Sequence, residues 1–211
     1  MALPQHPHEQ VLVLSQDVGE IRAALAAVTA LAAPTAAGPA GLTLSEKHDQ
    51  RVANVAVDAI TAVRALNDFV ENFAALLRAV EAAPNAHPSP GMLRGPLRRE
   101  LRHAQFVCSA ATRRCEHVQA LGSDEIAEGD TAPCLPMRMI ERVLGVLREK
   151  CMTASERLTG LDAAYSPPAA GPAGRGESVA PAQLRAIDSF EKSREGGGGA
   201  APAAPGAVSK E

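Results

Sequence analysis

Apolar residues recur along this chain at alternating intervals of three and four. From His8 to Ala33 the positions Val11, Leu14, Val18, Ile21, Leu25, Val28 and Ala32 keep that rhythm. It is the heptad repeat of a helix that buries one narrow seam against other helices. Residues 1–33 therefore read as a first heptad helix behind a short disordered N-terminus, and Pro34 opens a flexible linker over 34–42.

A second helix is predicted over 43–83. Thr43 and Glu46 can form a capping box at its start, and Pro84 ends it. Its seam runs Val52, Ala56, Ala59, Val63, Leu66, Val70, Phe73, Leu77 and Val80, with a parallel stripe at Val55, Ala62, Phe69 and Leu76. That double width predicts at least two neighbours for this helix. The third helix, 96–122, starts at Pro96 and is expected to stop at Gly122. Its seam is Leu97, Leu101, Ala104, Cys108, Ala111, Cys115 and Val118. The fourth, 135–165, buries Ile140, Leu144, Leu147, Cys151, Ala154, Leu158 and Leu161.

Residues 166–211 hold eight Gly and six Pro and carry no net charge. They read as a disordered tail, since little apolar surface is available to offset the ordering cost. Within it, 180–194 can form a short helix with Leu184, Ile187 and Phe190 on one side. Those three residues are candidates for docking into a groove on a partner or on the bundle itself.

Composition sharpens the fold class. The chain of 211 residues contains 42 Ala and only five aromatics, four Phe and one Tyr. Strong helix formers dominate, and strand formers are scarce. The fold expected is all-α: an elongated helical bundle of coiled-coil-like helices. At 1.5 Å per residue the second helix would be ~60 Å long against ~40 Å for the others, so it is expected to break or project. Ala-rich seams bury little area, far below the ~1.5–3 kcal/mol of a buried Leu. These features predict that part of the apolar surface is completed by another chain, with Val55, Phe69, Phe73 and Leu76 as the interface residues.

The candidate chemistry is sparse. None of Cys108, Cys115 or Cys151 has a Cys or His three or four residues away, so zinc is disfavoured. Glu100 and His103 form one Glu-x-x-His pair, but a di-iron bundle needs two. Cys108 and Cys115 read as buried structural thiols. Cys134, in a loop, is the candidate exposed thiol. Gly196 to Gly199 follow no strand and read as linker rather than as a phosphate loop. No catalytic residue, cofactor or metal is assigned.

The strongest charge feature is the third helix, where Arg94, Arg98, Arg99, Arg102, Arg113 and Arg114 face only Glu100 and Glu116. No aromatic stacking residue is read as interleaved with them, and the net charge is −3, so direct nucleic-acid binding is disfavoured. The second helix, with six acids and four bases, is the expected complement. Asp124, Glu125, Glu128 and Asp130 read as a solvated connector.

The function expected is that of a non-enzymatic helical adaptor, scaffold or structural subunit. Its partners would be other helical or coiled-coil proteins, or a second copy of itself. The alternative is a regulatory module that binds nucleic acid or acidic membrane through Arg98, Arg99, Arg102, Arg113 and Arg114. With no apolar stretch of ~20 residues to span a bilayer, the protein is expected in the cytoplasm, the nucleus being compatible.

Overall fold

The computed structural model describes residues 6–32, 46–83, 87–89, 91–128, 135–166 and 181–196. They form five helices: α1 (Pro7–Ala32), α2 (Glu46–Ala82), α3 (Gly95–Glu128), α4 (Leu135–Tyr165) and α5 (Pro181–Gly196). The fold is all-α, with no strand among the described residues, and no helix is long and apolar enough to cross a membrane. Residues 1–5, Thr43, the linker 34–42, Cys134, Asp130 and the tail segments 167–180 and 197–211 lie outside the described residues.

The predicted boundaries hold within three residues except at the end of α3. Gly122 does not stop that helix, which continues to Glu128. A helix-interior Gly costs only about 1 kcal/mol, and the next proline is Pro133. The segment that carries Asp124 to Glu128 is therefore helical and not a loop. This correction also brings α3 close to α2 in length, while α1 remains the shortest: α1 to α4 have 26, 37, 34 and 31 residues. Helix α2 is continuous and does not break.

Cross-helix bonds define the topology. His8 near the start of α1 meets Glu81 near the end of α2 at 2.5 Å. Asp58 early in α2 meets Arg114 late in α3 at 2.8 Å, while Asn72 donates to Glu100 at 2.9 Å. Between α3 and α4, Arg98 donates to Asp162, Gln105 to Thr159, and Ser109 pairs with Ser155. Lys150 of α4 returns to Glu20 of α1 at 2.8 Å. His8 and Glu81 join opposite ends of α1 and α2. Between the other neighbours residue order reverses from pair to pair, as in Asp17 with Arg157 against Glu20 with Lys150, so neighbours are antiparallel. Helices α1 to α4 close an up-down-up-down ring around one core.

The seams of α3 and α4 are buried at every predicted position, and that of α2 at all but the half-buried Ala56. The parallel stripe of α2 is buried as well: Val55, Phe69 and Phe73 have no exposed surface and Leu76 has 1%. Those four residues, expected to meet another chain, are core residues of this one. The stripe is wide because α2 lies between α1 and α3 and also carries α5. Phe69 and Phe73 stack with centroids 5.6 Å apart.

Helix α1 departs from its predicted seam. Val11 and Leu25 are only half-buried, whereas Ala24 and Asp17 are buried. Leu14, Val18, Ile21 and Val28 of that seam are buried, but apolar spacing does not bring Asp17 inward. Polar pairing with α4 does: Asp17 with Arg157, and Glu20 with Lys150.

One end of the ring is closed by the connection between α2 and α3. Gly91 and Gly95 adopt positive φ (87° and 53°), which glycine takes without strain. The turn swings Met92 and Leu93 into the core, 1% and 0% exposed. The backbone N–H groups of Gly91 and Leu93 both donate to the Tyr165 carbonyl at 2.9 Å, satisfying a C-terminal acceptor of α4. The Tyr165 ring rests on Phe73 with centroids 6.0 Å apart.

Candidate functional site

Two surface features rise above the closed core. The first is the outward face of α3. Arg99, Phe106 and Arg113 lie seven residues apart, hence on one line along the helix with roughly 10 Å between successive residues. All three are exposed, Phe106 to 62%. Arg102 stands one turn before Phe106 with a side chain 58% exposed. Between Arg99 and Arg113 the only acid in the sequence is Glu100, and its carboxylate is turned to Asn72 of α2.

The arginine cluster expected from sequence is thus divided. Arg98 donates to Asp162 at 3.1 Å, and Arg102 approaches the same carboxylate at 3.6 Å. Arg114 is paired with Asp58. Arg99 and Arg113 make no ion pair among the described residues. Three of the five therefore help hold the bundle, which spends much of the local positive excess. The expectation that no aromatic is interleaved is corrected: Phe106 sits in the middle of the exposed face. Reading α3 for its seam passes over that residue, because it occupies the position opposite the seam.

The second feature is the docking of α5. Ile187 is 1% exposed, while Leu184 and Phe190 are half-buried, with Phe190 packed against the core. The three docking candidates therefore meet the chain's own bundle, on α2. Polar clamps flank the apolar anchor. The Ser89 hydroxyl donates to Gln183 Oε1 at 2.6 Å, and the guanidinium of Arg94 is bonded to Asp188. Gln183 itself is 1% exposed, and its Nε2 is buried with no partner among the described residues. Sequence reading missed Gln183, since a polar residue on a short helix carries no burial signal.

Other chemistry is quiet. Cys108, Cys115 and Cys151 are free thiols buried at the α3–α4 seam. Desolvation raises their pKa, to about 12 for Cys108 and Cys115 and upward for Cys151. Such thiols stay protonated at neutral pH and are poor nucleophiles. Glu100 and His103 line a shallow groove of about 260 Å³ with Ala65, Asp68, Glu71 and Asn72. Among the described residues, no group of three or more His, Cys, Asp and Glu could hold a metal ion.

At the edge between α3 and α4, the half-buried Asp162 collects Ser166, Arg98 and Arg102. Partial burial would raise its pKa, but the hydrogen bonds from Ser166 and Arg98 and the charges of both arginines hold it below the usual carboxylate value. Asp17 goes the other way: burial raises its pKa despite the hydrogen bond and charge of Arg157. No family model, curated protein or solved structure matches this chain.

Proposed function

We propose that this protein is a non-enzymatic helical adaptor that binds an acidic amphipathic helix of a partner along the outward face of α3. The observation that supports this reading is the exposed Phe106 between Arg99 and Arg113, which make no ion pair among the described residues, with Arg102 beside it 58% exposed and reaching Asp162 only at 3.6 Å. Aromatic and Arg residues are the side chains that most often dominate binding energy at interfaces. Burying Phe106 supplies roughly 1.5–3 kcal/mol, whereas each rim ion pair supplies about 0.2–1 kcal/mol. Phe106 is thus the anchor, and the arginines orient the partner and speed its approach. Their span from Arg99 to Arg113, about 21 Å, corresponds to four helical turns.

The test is a titration with a synthetic helix carrying Glu residues seven positions on either side of a Leu. The adaptor reading predicts salt-sensitive binding that Phe106→Ala abolishes and Arg99→Glu with Arg113→Glu reverses. Failure of that helix to bind counts against it. Parallel titrations with oligo-dT and phosphatidylserine vesicles test the other occupants of a cationic face with a stacking aromatic. Binding to either that is lost with the same substitutions favours the nucleic-acid or membrane module instead.

A further inference from the structure

We propose that the groove formed by α2, Ser89 and residues 91–94 is a receptor for an amphipathic helix of a partner, and that α5 is its intramolecular occupant, displaced when that partner binds. This goes beyond the α3 reading and does not depend on it.

The occupied groove states the chemistry it accepts. One aliphatic side chain is taken up completely, at Ile187. The next position offers a carboxylate to Arg94, and the position four residues before the anchor offers an acceptor to the Ser89 hydroxyl. A partner helix would therefore present an acceptor, an aliphatic anchor four residues later, and an acid directly after it. This is helix-in-groove recognition, with side chains one turn apart reading a single strip.

Several features make α5 a replaceable occupant. It has 16 residues, a length at which an isolated helix is marginal in water, so its order depends on docking. It packs chiefly against a single helix of the bundle. Its buried Gln183 Nε2 has no acceptor among the described residues, a desolvation cost carried by the docked state. The Asp188 side chain is 69% exposed, so solvent weakens its clamp on Arg94.

The connection also favours reversible release. Tyr165, at the end of α4, is bonded to Gly91 and Leu93, while α5 is bonded to Ser89 and Arg94. The described residues on either side of 167–180, Tyr165 and Gln183, are therefore held by the same short stretch before α3. Belonging to the same chain, α5 is an intramolecular competitor for the groove. It competes with partners without excluding those that bind better.

The experiment uses the full chain and a fluorescein-labelled peptide of residues 181–196. Ile187→Asp in the protein removes the internal occupant and leaves the groove intact. The peptide is expected to bind I187D at least about tenfold more tightly than the wild type, because the tethered competitor is gone. Asp188→Arg in the peptide should weaken binding, and Arg94→Asp in the protein should restore it. If I187D fails to fold, Asp188→Arg in the protein, at an exposed position, gives the same comparison. Equal affinity for wild type and variant overturns the proposal, as does no binding to a variant whose bundle helicity is intact. A wild-type dimer that I187D converts to monomer also overturns it, since α5 would then be exchanged between copies.

Discussion

Arg157 of α4 donates a hydrogen bond to Asp17 of α1, whose side chain is only 4% exposed. One carboxylate oxygen of Asp17, Oδ2, is buried without a partner among the described residues. The pair therefore fixes which face of α1 turns inward, but it is an expensive way to do so, because buried ion pairs often fail to recover their desolvation cost.

That asymmetry yields the first expectation. Asp17→Asn removes the buried charge and should leave stability at pH 7 within about 1 kcal/mol of the wild type, or raise it. Arg157→Ala leaves the carboxylate uncompensated and should cost about 3 kcal/mol or more. Urea unfolding of the two variants measures the difference.

Asp17 and Asp162 should carry opposite pH signatures. The folded-state pKa of Asp17 is raised, so the wild type gains stability relative to Asp17→Asn as pH falls through that pKa toward 3.8. The pKa of Asp162 is lowered, so its contribution is complete above 3.8 and is lost as pH falls through the folded value. Asp162→Asn should cost about 1–2 kcal/mol at pH 7, its bonds being tempered by 22% exposure of the carboxylate side chain. Thermal melts from pH 7 to pH 3 should show Asp17→Asn losing ground to the wild type while the deficit of Asp162→Asn narrows.

Phe73 separates a core role from an interface role. It stacks on Phe69 and supports Tyr165 with no exposed surface. Phe73→Ala should therefore cost about 3–5 kcal/mol in the isolated chain. An interface residue would leave the stability of the free chain nearly unchanged, and denaturant unfolding distinguishes the two.

How far these features could be read in advance depended on whether burial followed apolarity. Leu97 to Val118 and Ile140 to Leu161 carry apolar or thiol side chains at every inward position except Thr112, so spacing alone located the inner faces of α3 and α4. Asp17 broke the rule on α1, where an acid occupies an inward position beside the buried Leu14, Val18 and Ile21. Val55, Phe69, Phe73 and Leu76 were legible as buried, but spacing cannot say whether the covering helix belongs to the same chain. Gly122 misled because a weak helix breaker stops a helix only where tertiary contacts do not carry it onward. At the candidate sites, Phe106 and Gln183 depend on inversions: an aromatic outside and an amide inside.

The three described thiols should be silent in the native state. With pKa values of about 12 for Cys108 and Cys115, and Cys151 raised further by burial, the thiolate fraction at pH 8 is about one in ten thousand or less. In a Cys134→Ser chain, Ellman's reagent should release no colour until denaturant is added, and then three equivalents. Rapid labelling in the folded chain would mean that the α3–α4 seam opens.

The central claim is that one chain supplies every wall of its own core, which leaves outward faces for partners. Its most direct test is the melting temperature of the full chain across a hundredfold range of protein concentration. A self-contained core predicts a melting temperature independent of concentration. A melting temperature that climbs steadily with concentration would mean that folding and association are coupled, and that a second chain completes the core.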